Sequence, residues 1–247
     1  MSDPSHVLVC CDFDGTIALQ DTGVILIDHC MGTERRKQLD ESVMRGELSL
    51  RKAFKEMWAA VDLSYEEALE LFRDVELDPV FKAFATYCFK EKCPTGYRFW
   101  VRITKLAFDL HNLSFWLSGP KFLLEYFFKR FFPDDYTKFR IEANYGENIG
   151  RKWEFSFHDE SEYGHNKGVT MKQIQDEYAA ANNGAKPYTV FCGDGVSDLS
   201  AARHADLLFV RRGRGLEGYC QTHKIPFTGF DDFQVILAEV QKLKGSN

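Results

Sequence analysis

The stretch "HVLVCCDFDGTIALQD", His6 to Asp21, decides how the rest of the chain is read. Val7 to Cys11 is a short apolar run with no polar alternation, the pattern of a strand buried on both faces. It drives straight into Asp12 and Asp14, and a Gly-Thr turn follows at once. Two carboxylates one position apart at the end of a core strand repel each other unless something positive meets them. Strands of open parallel sheets end in this way where a ligand binds, beyond their carboxyl ends at the switch point of the sheet.

Further strands are expected at Leu113–Leu117, Tyr188–Cys192, Leu207–Val210 and Pro226–Thr228. Helical patterns follow most of them, at Lys121–Phe132, Lys167–Ala181, Ser197–Arg203, Leu216–His223 and Asp232–Leu243. Strand followed by helix, repeated, predicts an α/β fold: a Rossmann-like, doubly wound and mostly parallel sheet. One block breaks the rhythm. Asp21 to Ala85 has much helix and almost no strand, with a capping box at Ser64-x-x-Glu67 and a helix opening at Asp78-Pro79. We therefore expect an α/β core from residues 1–20 and 86–247, with a small helical cap, 21–85, inserted after the first strand. "IEANYGENIGRKWEFSF" predicts a hairpin, and "KFLLEYFFKRFF" a core helix.

A second acidic motif, "VFCGDGVSDLSAAR", puts Asp194 just past a strand and Asp198 at the start of the next helix. Four carboxylates gathered in one place need a hard cation, and Mg2+, which takes oxygen ligands and pairs with phosphate, is the expected one. Phosphomonoester hydrolysis suits such a site. Asp12 would attack phosphorus and form an aspartyl phosphate, and Asp14 would protonate the leaving alkoxide and then activate water. Ser118 and Gly119, at another strand end, would donate to the phosphate, and Lys167, at a helix start, would supply positive charge.

"DFDGT", the Ser-Gly at a strand end, the lysine before a helix and "GDGVSD" resemble, in that order, the four motifs of the haloacid dehalogenase-like phosphatases. The helical insert resembles the cap of the phosphoserine-phosphatase-like branch. "DESEYGHNKG" and "CGDGVSDLSAARHADLLFVRRG" look like fungal phosphatases of sugar-alcohol phosphates. The resemblance implies Mg2+ held by the Asp12 carboxylate, the Asp14 main-chain carbonyl and Asp194. Asp198 would support these ligands from behind or hold a metal-bound water. It also implies that Asp21 and Arg51, in the cap, read the non-phosphate end of the substrate. A phosphoserine phosphatase and a catalytically inactive binding protein of the same fold are the alternatives.

Composition excludes other classes. Lysine and arginine number 31 against 37 aspartates and glutamates, a net charge of −6, so no basic surface for nucleic acid or anionic membrane is expected. The most apolar window, Phe99–Leu117, carries Arg102, Lys105, Asp109 and His111, which rules out a membrane span. No signal peptide is visible, and the seven scattered cysteines read as reduced thiols of a cytoplasmic protein. The expected partner is a small-molecule phosphomonoester, and no oligomeric state is implied. Gly213-Arg-Gly215-Leu-Glu-Gly218 has the letters of a dinucleotide fingerprint, but it sits at a late crossover and reads as a tight turn. Pro94–Trp116 departs from similar phosphatases and reads either as an extra helix or as translated intron.

Overall fold

Alternate residues of the first strand, β1 (Asp3–Asp12), enter two different cores. Val7, Val9 and Cys11 face one layer and Leu8 and Cys10 the other, all buried, as the two-residue period of a strand dictates. The computed structural model describes residues 3–90 and 113–245. The expectations for residues 94–112 lie outside the described residues.

Among the described residues, six further strands join the same sheet: β2 (Leu113–Pro120), β3 (Arg140–Ile149), β4 (Lys152–Ser156), β5 (Pro187–Gly193), β6 (Leu207–Arg211) and β7 (Thr228–Phe230). Their order is β4-β3-β2-β1-β5-β6-β7, and all neighbours are parallel except β3 and β4. The chain grows outward from β1 in both directions, so β1 lies at the switch point. Cys11 pairs with Phe115 on one side and Cys192 on the other, which brings the ends of β1, β2 and β5 together. This is the α/β, mostly parallel architecture expected from the strand–helix alternation.

Among the described residues, five helices fall between β1 and β2: α1 (Thr22–Met31), α2 (Thr33–Met44), α3 (Leu50–Ala59), α4 (Tyr65–Leu71) and α5 (Phe81–Lys90). Ser64 and Glu67 form the capping box at the start of α4, satisfying two backbone donors reciprocally. Helix α3 carries its apolar residues at Leu50, Phe54, Met57 and Trp58, one stripe at helical spacing. The β3–β4 hairpin packs against these helices. Trp58 stacks on Phe155 at 5.4 Å, and Trp153 Nε1 donates to the Leu63 carbonyl at 2.8 Å.

The remaining helices cover the sheet: α6 (Lys121–Phe131), α7 (Lys167–Ala181), α8 (Leu199–Ala202), α9 (Gly215–His223) and α10 (Phe233–Gly245). Residues Leu123, Leu124, Phe127 and Phe128 of α6 are buried, so the aromatic-rich helix is a core helix. Leu8 and Cys10 pack with Met171 and Ile174 of α7 and Leu216 and Cys220 of α9. Two boundaries moved. The last strand is Thr228–Phe230 rather than Pro226–Thr228, because proline has no N–H for the ladder and Phe230 has a core to enter. The helix expected at Ser197–Arg203 is a 3-10 turn, Val196–Asp198, leading into the single turn of α8. Cys10, Cys11, Cys30, Cys192 and Cys220 are free thiols. No helix among those residues is long and apolar enough to cross a membrane.

Candidate active site

Asp12 closes β1 on the same side as Leu8 and Cys10, the side covered by α7. After it the chain turns tightly: the amides of Ile17 and Ala18 both donate to the Phe13 carbonyl at 2.9 Å. Gly15 stands in the left-handed region at φ +69°, and a Cβ there would lie 2.2 Å from Asp194 Oδ2. Only glycine lets the Asp194 carboxylate approach this turn so closely. Arg211, at the end of β6, clasps the turn from behind. Its Nη2 donates to the Thr16 carbonyl at 2.6 Å and to Asp78 Oδ2 at 3.0 Å.

Lys167 is the first residue of α7, whose N-cap Asn166 accepts from the Gly168 and Val169 amides. The lysine is fully buried, and its Nζ donates to Asp12 Oδ1 at 2.5 Å, Asp198 Oδ1 at 2.7 Å and Ser197 Oγ at 3.3 Å. All three donors of the ammonium are therefore used. The other oxygen of Asp198 accepts the Asp194 and Gly195 amides at 2.9 and 3.0 Å. Asp198 thus ties the lysine to the loop that carries Asp194. The Asp194 carbonyl in turn accepts the Leu216 amide at 2.9 Å, so the first turn of α9 braces this loop.

Carboxylate oxygens of Asp12, Asp194 and Asp198 can lie within 4.8 Å of one another. One ammonium cannot neutralise them, and the acids respond. Burial, and then the charge of Asp198, push Asp12 up to about 7 despite Lys167. Burial raises Asp194 well above the carboxylate range, and Asp12 and Asp198 add to it. Burial also raises Asp14, with the charge of Asp21 next, although Asp14 Oδ1 accepts the Thr22 amide at 2.9 Å. Burial on its own would depress Lys167, but Asp12 and Asp198 outweigh it and hold the ammonium charged. The excess negative charge and the oxygen-only donor set of Asp12, Asp194 and Asp198 fit a hard dication such as Mg2+, which Asp12 and Asp194 would hold.

The other expected site residues divide. Ser118 and Gly119 occupy the end of β2, where Asp12 pairs with Trp116, and Gly119 lines the cavity above the acids. Asp21 lines the same cavity and caps α1 through the Val24 amide at 2.8 Å. Arg51 is placed elsewhere. Its guanidinium donates to the Asp159 carbonyl at 2.5 Å, pairs with Glu160 at 2.8 Å and lies over the Phe157 ring. It latches α3 to the loop that leads into Lys167, and this loop satisfies the charge that was expected to meet substrate. The cavity, about 250 Å³, is roofed instead by α1, α2 and α3, with Arg36 and Asp40 among its walls. Sequence reading missed both, because an Arg–Asp pair four apart on a helix looks like an ordinary solvated face.

A sheet with its acids at the switch point, a lysine bridging two of them and a helical roof defines the class: a phosphatase of the haloacid dehalogenase fold. A solved phosphoserine phosphatase, captured as an analogue of its phospho-aspartyl intermediate, superposes with a TM-score of 0.64 over 97% of this chain and 99% of its own, at 14% identity. No protein-family model matches the chain. Curated relatives do. The polyol phosphate phosphatase PYP1 of Saccharomyces cerevisiae is 30% identical, covering 94% of this chain and 91% of the relative. Pdp3-interacting factor 1 of Schizosaccharomyces pombe is 34% identical over 98% of both. The chain belongs to the haloacid dehalogenase-like phosphatases.

Proposed function

We propose that this phosphatase is a Mg2+-dependent hydrolase of small phosphomonoesters, with sugar-alcohol or sugar phosphates as its substrates and an aspartyl phosphate on Asp12 as its intermediate. One observation carries the reading: the buried Asp12 carboxylate has one oxygen fixed by Lys167 at 2.5 Å, while Asp194 comes in against the Gly15 turn beside it. The bound dication would lower the repulsion between the anionic nucleophile and the phosphate. Asp12 attacks phosphorus in line, the P–O bond to the leaving group breaks, and the alkoxide takes a proton from Asp14. Asp14 is suited to that task because burial and Asp21 keep it protonated far above the ordinary carboxylate range. Asp14, now ionised, then takes a proton from water as that water attacks the aspartyl phosphate, which frees inorganic phosphate and Asp12. Lys167, on giving up its 3.3 Å bond to Ser197, would hold the phosphate oxygens with Ser118 and Gly119 at the end of β2.

In this reading residues 21–85 act as a cap over a core made of 1–20 and 86–247, and Asp21 faces the leaving group. The relative named as a polyol phosphate phosphatase supports the substrate class. Free cysteines support a reducing, cytoplasmic setting. The test is phosphate release from ribitol 5-phosphate, sorbitol 6-phosphate and phosphoserine, with Mg2+ and after chelation. Turnover of the polyol esters only with the metal is expected. Turnover that survives chelation overturns the metal assignment, and a preference for phosphoserine overturns the substrate class.

A further inference from the structure

The roof of the cavity carries a charged cluster from α1 and α2. Arg36 is the one cation among the described residues that line the cavity, and its side chain is only 13% exposed. Each of its three nitrogens already meets a carboxylate oxygen. Nε donates to Asp28 Oδ1, Nη2 to Asp28 Oδ2 at 3.4 Å and Nη1 to Asp40 Oδ2 at 2.5 Å. Two acids therefore meet one guanidinium; of these Asp40 lines the cavity, and Asp21 adds a further negative group to its walls. Between these polar groups the roof is hydrocarbon and aromatic: Val24, Ile27, Phe54, Met57 and Trp58.

A ligand end placed here meets net negative charge and apolar surface. A carboxylate would be repelled by Asp21 and Asp40 and would meet a guanidinium whose charge Asp28 and Asp40 already balance and whose Nε edge is already in a bidentate pair with Asp28. A hydroxyl-bearing end has no charge to desolvate, can donate to Asp21 or Asp40 and can lay its carbon chain against the apolar wall. Arg51, the other arginine considered for this role, is spent on the Asp159–Glu160 loop.

We propose that the Asp28–Arg36–Asp40 cluster makes this enzyme select phosphomonoesters with an uncharged, hydroxylated end and reject those with a carboxylate. This deepens the reading under Proposed function and rests on it. The pairing of Arg36 with two acids, not the presence of an arginine, is the selective element.

Ribitol 5-phosphate and ribonate 5-phosphate share a skeleton and differ only in a terminal hydroxymethyl or carboxylate, so their kcat/KM ratio reads the device. The parent protein should favour ribitol 5-phosphate by about tenfold or more, the scale of one charge-assisted hydrogen bond. Asp40→Asn releases one side of Arg36 and should move the ratio about tenfold toward ribonate 5-phosphate. Adding Arg36→Gln to that variant should remove the gain. Asp40 is half exposed, so the fold is expected to survive, with thermal unfolding as the check. Asp28→Asn, which frees the other side of the guanidinium, is the second variant should Asp40→Asn not fold. Equal hydrolysis of both esters by the parent, or a ratio unmoved in the folded variants, overturns the inference and leaves the phosphatase reading standing. Hydrolysis of neither ester overturns the reading beneath it.

Discussion

Gly15→Ala puts the site's central contact under a single methyl group. The added Cβ would sit 2.2 Å from Asp194 Oδ2 and 2.8 Å from Asp194 Cγ. Ordinary contact between such atoms begins near 3.4 Å, so the Asp194 carboxylate must retreat by more than an ångström. Fold and function should respond differently. The fold bears the left-handed φ of +69° in a residue with a side chain, about 1–2 kcal/mol. For a chain of this size that lowers Tm by roughly 2–8 °C. Catalysis suffers more, because a misplacement of about 1 Å in a reacting constellation costs on the order of a hundredfold. Titration of Mg2+ followed by calorimetry, with kcat measured at saturating metal, separates the two. Weaker Mg2+ binding and a kcat down about a hundredfold in a folded variant are expected. If G15A binds Mg2+ and turns over like the parent, Asp194 does not act from the place assigned to it.

Other outcomes follow from the same geometry. Lys167→Met removes the ammonium between two buried acids and should cost roughly 3–5 kcal/mol at neutral pH, read by denaturant unfolding. Acidifying the buffer should recover part of that loss as the freed carboxylates take up protons. In the metal-free parent, Asp12 holds its proton up to about 7 when folded but only to the ordinary aspartate range when unfolded. The folded form then carries more protons, so stability present below about pH 4 falls as pH rises through about 7. Mg2+ needs the ionised acids, so the Tm gain on adding it should grow from about pH 5.5 to 8, and a gain that shrinks over this range refutes the charge-relief argument. Trp153→Phe loses the bond to the Leu63 carbonyl and should cost about 1 kcal/mol in thermal unfolding, with KM moving more than kcat because the hairpin steadies the roof.

The sheet was legible because its strands are buried on both sides and short, and nearly all were read close to their true bounds. The acid cluster was legible for a related reason. Asp12, Asp14 and Asp194 stand immediately after apolar strands, where a carboxylate has no structural excuse. Lys167 could be read only from its order between the acidic motifs. Its full burial and its two carboxylate partners come from tertiary packing that no local pattern encodes. The roof was the least legible part. Arg51 stood in the expected place along the chain, yet the Asp159–Glu160 loop, more than a hundred residues away, captures it. Arg36 carried no signal apart from a partner one turn away on α2, which most exposed helices show. The final strand was misplaced by two residues because the apolar content of "IPF" outweighed the missing proline donor in the reading.

The most direct test of the account is to locate the phosphoryl group during turnover. The enzyme is quenched in acid while hydrolysing a polyol phosphate with Mg2+, reduced with borohydride, digested and mapped by mass spectrometry. Reduction of an acyl phosphate turns its aspartate into homoserine, and that conversion is predicted at position 12, absent in Asp12→Asn and absent without substrate. Conversion at any other acid, or an unmodified Asp12 in enzyme caught at full turnover, would contradict the central claim that Asp12 is the nucleophile.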